Sequence, residues 1–72
     1  MSRLVNRKFT SRELANECKR ELEYRRYVYK RLVGNGKMPP SKAKRQIELM
    51  EEMYEVFEEV ALADEKEGQL DL

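Results

Sequence analysis

Leu14, Cys18, Leu22, Arg25, Tyr29 and Leu32 recur along the chain at spacings of three and four. That recurrence marks one face of an α-helix, and Arg25 is its only polar member. Glu21 and Val28 flank one side of the stripe, and Ala15 and Val33 the other. The helix has a clear beginning. Thr10 followed by Glu13 forms a capping box, and Phe9 stands where it can pack on Leu14 as a hydrophobic staple. It also has a clear end. Gly34-Asn35-Gly36 supplies residues that tolerate the left-handed conformation, and Lys30 and Arg31 suit the negative pole of the helix.

Pro39 and Pro40 restart the chain, since proline costs little in a first helical turn. Two parallel apolar stripes follow. One is Ala43, Ile47, Met50, Tyr54, Phe57 and Ala61; the other is Leu49, Met53, Val56, Val60 and Ala63. At about 100° per residue they cover roughly half the helix, more than one partner helix needs. The pattern predicts an all-α fold: an antiparallel two-helix hairpin with helices at about 10–33 and 40–63 and a loop at 34–39. Residues 1–9 read as a basic arm and 64–72 as an acidic, flexible tail. The surplus stripe of Leu49, Met53, Val56 and Val60 predicts oligomerisation, as a dimer or higher, or docking on another protein.

Size sharpens that expectation. A chain of 72 residues buries only about 60% of its unfolded surface, so small scaffolds usually lean on disulfides, a metal or partners. One cysteine excludes an intrachain disulfide, and the absence of histidine removes the usual zinc sets, so no metal or cofactor is expected. A lone thiol suits a reducing compartment. No apolar run reaches the ~18 residues of a membrane span, and Met1 to Lys8 lacks the apolar core of a signal peptide. A cytoplasmic protein is expected.

The formal net charge of +1 conceals a strong asymmetry. Residues 1–45 hold fourteen of the fifteen Lys and Arg side chains and four carboxylates; residues 46–72 hold one cation and ten carboxylates. A basic half that seeks phosphate is joined to an acidic half that can cover it or repel it. Laid side by side, the two helices are expected to form interhelical ion pairs, with Glu48, Glu51, Glu55 and Glu58 on the outer side of the second.

Enzyme chemistry finds no support. There is no histidine for general base work, no Ser/His or Cys/His pair and no Gly-rich phosphate loop. The run of glutamates from Glu48 to Glu59 reads as a solvated helix face rather than a metal site, and Cys18 as a buried thiol on the apolar stripe. The segment Tyr24-Arg25-Arg26-Tyr27-Val28-Tyr29-Lys30-Arg31 is more informative. Guanidinium groups fork onto phosphate and tyrosines stack on bases. The candidate ligand-binding residues are Arg20, Arg25, Arg26, Tyr29, Arg31 and Lys37. For Arg25 two roles stand level: a ligand contact, or an internal ion pair with Glu21 one turn earlier. An anion must meet it in either case, because an unpaired Arg in an apolar stripe costs several kcal/mol.

Arg20-Glu21-Leu22, Arg25-Arg26, Val28-Tyr29, Arg31-Leu32-Val33, Gly36-Lys37-Met38, Lys42-Ala43, Ile47 and Met50 together make one ungapped pattern. It resembles a family of small uncharacterised phage and prophage proteins with an R-E-x-x-x-R-R-x-V-Y-x-R…G-K-M…K-A…I-x-x-M run. The likeness covers about residues 18–55. The chain departs from it at Pro39, where the family often has Thr, and at Gly34 and Tyr27, where relatives tend to have Ala and Arg. The resemblance implies a phage setting, in which short accessory proteins act by stoichiometric binding in counter-defence or host takeover.

Three functional readings follow. The first is an oligomeric hairpin that binds nucleic acid or a nucleotide signal, with symmetric copies bringing Arg25, Arg26 and Arg31 together. The second is an inhibitor or adaptor that docks on a host or phage nucleic-acid enzyme through its apolar stripe or its acidic helix. The third is a structural coiled coil with no small ligand.

Overall fold

The computed structural model describes residues 7–70, with side chains through residue 67. Two helices fill it: α1, Ser11–Gly34, and α2, Pro40–Leu70. They pack against each other as the expected antiparallel hairpin in a rod 54 Å long. The capping box at Thr10 forms in both directions: the Thr10 hydroxyl accepts from the Glu13 amide at 3.0 Å, and the Glu13 carboxylate accepts from the Thr10 amide at 2.9 Å. Phe9 and Leu14 line one cleft with Glu13 and Glu17, and Phe9 stays about half exposed.

The far end of α1 closes by a Schellman motif. The Lys37 amide donates to the Leu32 carbonyl at 2.8 Å and the Gly36 amide to the Val33 carbonyl at 3.1 Å. Gly36 occupies the left-handed position at φ 71°, where a Cβ would be strained. The Ala43 amide then donates to the Pro39 carbonyl at 3.1 Å, which makes Pro40 the first helical residue.

One boundary differs from expectation. The segment 64–70 continues α2, which runs 31 residues, about 46 Å. The reason is visible at Ser11 and Arg12. Ser11 donates its hydroxyl to Asp64, and Arg12 holds Glu65 at 2.9 Å, so the first turn of α1 grips this stretch. Residues 71–72 of the expected tail, and residues 1–6 of the expected arm, lie outside the described residues.

Cys18, Leu22 and Met50 form the centre of the core, with Ile47, Tyr54 and Phe57 packed on it. It is a thin core. Among the described residues the other buried apolar positions are Ala15, Ala43 and Ala61, and no large side chain is completely enclosed. The two long edges of the helix contact are chemically opposite. Along one, Arg12 bridges Glu58 at 2.8 Å and Glu65 at 2.9 Å, and Arg26 bridges Glu51 at 2.7 Å. Glu51 and Glu58 therefore sit at this edge rather than on the outer side of α2. Along the other, helical geometry at about 100° per residue places the half-buried Leu14, Val28 and Leu32 of α1 beside the stripe of α2. The hairpin thus has an ionic face and a mainly apolar face, on which the Glu21–Arg25 pair is set among the apolar side chains. No described helix is long and apolar enough to cross a membrane.

Candidate functional site

The antiparallel fold turns a charge difference along the sequence into one along the rod. Residues 24–47 contain Arg25, Arg26, Lys30, Arg31, Lys37, Lys42, Lys44 and Arg45, and no acid. They form the end of α1, the loop and the start of α2, so eight cations gather at the loop end. The described remainder, 7–23 and 48–67, carries six cations and thirteen carboxylates. The positive pole of α2 points into the same end, whose first turn holds no acid.

Two of the eight cations are tied into the fold. Arg25 donates from Nε to Glu21 at 3.0 Å and from Nη1 to the Gln46 carbonyl at 3.0 Å. Of the two roles open to Arg25, the internal pair is the one this geometry displays. Arg26 reaches Glu51 but stays half exposed. Lys30, Arg31, Lys37, Lys42, Lys44 and Arg45 are exposed and make no ion pair among the described residues.

Two grooves run through this end. One, of about 300 Å³, is lined by Arg26, Tyr29, Lys30, Val33, Pro40 and Ile47, with Ala43 at its base. It pairs an apolar wall with two cations and the half-buried Tyr29. The other, of about 560 Å³, is lined by Tyr27, Lys30, Arg31, Gly34 and Asn35. There the Arg31 guanidinium stands 5.8 Å from the centre of the Tyr27 ring. Lys30 borders both grooves. Both are open and shallow, which suits an extended or flat ligand better than an enclosed one.

The sequence-derived candidates are therefore divided. Arg26, Tyr29 and Arg31 share this end, and Lys37 sits exposed on its loop. Arg20 lies outside it, on an exposed turn of α1, and pairs with Glu17. Lys30, Lys42, Lys44 and Arg45 belong to the same basic end and extend the candidate set of ligand-binding residues. The signal that finds them is the acid-free run from 24 to 47, which becomes meaningful once the chain is folded about its middle. No group of His, Cys, Asp and Glu among the described residues is arranged to hold a metal.

Leu49, Met53 and Val56 remain 45%, 49% and 56% exposed, and Val60 is half-buried. Helix α1 leaves this stripe uncovered. Comparison of the chain with protein families, with curated proteins and with solved structures finds no match.

Proposed function

We infer that this protein acts by stoichiometric, non-enzymatic binding of a phosphate-bearing ligand, a nucleic acid or a nucleotide, at the loop end of the hairpin. The observation that carries this reading is the cluster of eight cations with no intervening acid, six of them outside any described ion pair. Such a cluster raises the local concentration of anions and steers them to the tip. Arg26, Lys30 and Arg31 would meet phosphate oxygens, while Tyr27 and Tyr29 offer faces for bases. Acids at the other end of the rod keep the polyanion from lying along its whole length. A phage setting, implied by the sequence resemblance, agrees with small proteins that act by occupancy.

The test is a titration of a fluorescent single-stranded oligonucleotide at several salt concentrations. Binding is expected to weaken steeply as salt rises, because each neutralised phosphate releases counterions. Replacing Lys30 and Arg31 together by Ala should reduce both the affinity and the salt slope. Salt-independent binding, or full affinity in the double variant, would overturn the reading.

The exposed stripe of Leu49, Met53 and Val56 favours a second reading, in which an apolar face docks on a protein. The glutamates Glu51 and Glu58 are bridged to α1, which leaves fewer free acids for imitation of a nucleic-acid backbone than the sequence suggests.

A further inference from the structure

The apolar face has an internal symmetry that indicates what covers it. On α2 a seam of exposed and half-buried residues runs Lys42, Gln46, Leu49, Met53, Val56, Val60, Ala63 and Glu67. The spacing alternates four and three throughout, which is the repeat of a coiled-coil contact line. The seam is symmetric at its apolar centre, although Gln46 and Ala63, equally far from the middle, differ in polarity. Its four largest apolar side chains lie symmetrically about a point midway between Met53 and Val56. Equally far from that point, a cation, Lys42, closes one end and an anion, Glu67, closes the other.

We propose that a second copy of this chain covers the apolar face, with α2 packed antiparallel on α2 of its partner about a two-fold axis at that point. In this register Leu49 meets the partner's Val60, Met53 meets the partner's Val56, and Lys42 meets the partner's Glu67. A parallel pairing sets Lys42 against Lys42 and Glu67 against Glu67. The whole rods repeat the same logic. Antiparallel copies bring the loop end, with eight cations and no acid, beside the acid-rich end of the partner, whereas parallel copies abut two basic ends. On α1 the same axis brings Leu14 near the partner's Val28. It also brings the two Glu21 carboxylates toward the centre, and each is already held by its own Arg25. Glu52 approaches the partner's Glu59, but both lie exposed at the outer margin, where water and salt screen them.

The pairing explains how so thin a core suffices: the missing half of the core is the other copy. It also differs from a dimer that gathers Arg25, Arg26 and Arg31 into one site. The two basic ends point away from each other. Helical geometry puts Lys30 and Lys44 on the face opposite the seam, so they stay open to solvent. If the loop end binds phosphate as inferred above, one dimer carries two such sites at opposite ends; the pairing itself does not depend on that reading.

The experiment reads mass first and orientation second. Sedimentation should give twice the 8.6 kDa chain mass. Lys42→Cys and Glu67→Cys proteins are then mixed and mildly oxidised, with wild type, whose Cys18 is buried, as the blank. A disulfide linking the two different variants, with little between identical ones, is expected. Within one helix these positions stand about 37 Å apart, so the bridge must be intermolecular. A monomer at all concentrations, a Lys42→Cys homodimer, or a dimer that links neither variant would overturn the proposal. So would a dimer that survives both Met53→Glu and Val56→Glu.

Discussion

Arg25 donates to the Gln46 carbonyl across the hairpin, 3.0 Å from its Nη1, while its Nε holds Glu21 in its own helix at the same distance. A mid-helix carbonyl has a second lone pair, so Gln46 can accept Arg25 without giving up its place in α2. The arginine in the apolar stripe thus has its anion and its acceptor inside the fold. Replacing a partly buried charge by an apolar side chain of similar size is often neutral, and Glu21 can turn to water. Arg25→Leu should therefore change stability by no more than about 1 kcal/mol in denaturant unfolding. It should leave oligonucleotide affinity within about twofold of wild type, because the guanidinium is not available at the loop end. A loss of several kcal/mol would show that the pair holds the helices together.

Arg12 fastens the open end, and its bond to Glu65 holds that carboxyl below its ordinary value, with charge attraction adding to the effect. A carboxyl depressed in the folded state stabilises above its unfolded value, about 4.3, and loses that contribution as pH falls through the folded value. The melting temperature should fall as pH drops below about 4. In Arg12→Gln the starting stability should be lower and the fall shallower. An equally steep fall in the variant would assign the acid sensitivity to other carboxylates.

Two glycines two residues apart should respond in opposite directions. Gly36 sits at φ 71°, so Gly36→Ala should cost about 1 kcal/mol. Gly34 ends α1 without a positive φ and has open space around a would-be Cβ, so Gly34→Ala should gain up to about 1 kcal/mol. Thermal melts of the two single variants, each compared with wild type, decide the signs.

Burial pushes the Cys18 thiol up, and the charge of Glu17 pushes it further. The thiolate is the reactive form. A thiol reagent at mildly alkaline pH should therefore label the folded protein at least about tenfold more slowly than the protein in denaturant. Equal rates would mean that the core around Cys18, Leu22 and Met50 opens freely.

The sequence held much of this architecture in plain view. The capping box, the Gly-Asn-Gly stop and the Pro-Pro restart are local signals, and each appears where its residues stand. What it did not hold was register. Asp64 and Glu65 look like the beginning of a polar tail until α1 brings Ser11 and Arg12 against them. In sequence, Arg20 stands one helical turn before the Arg/Tyr cluster and Arg25 inside it, so both look like ligand contacts. Folding ties one to Glu17 and the other to Glu21 and Gln46. It promotes Lys44 and Arg45 instead, which lie beyond the loop and share no periodic pattern with the first helix.

The antiparallel register also orders the assembly of the hairpin in time. Arg25 and Gln46 are 21 residues apart, Arg26 and Glu51 are 25, Arg12 and Glu58 are 46, and Ser11 and Asp64 are 53. Each step away from the Gly36 turn closes a longer loop at a greater entropic cost. Contacts near the turn can form first and propagate outward like a zipper. The open end is then the last part to lock and the first to release, although it holds the denser set of ion pairs. Amide hydrogen exchange should be fastest in the helix turns around Ser11 and Asp64, and slowest around Leu22 and Met50, where burial in the core adds to a shorter loop.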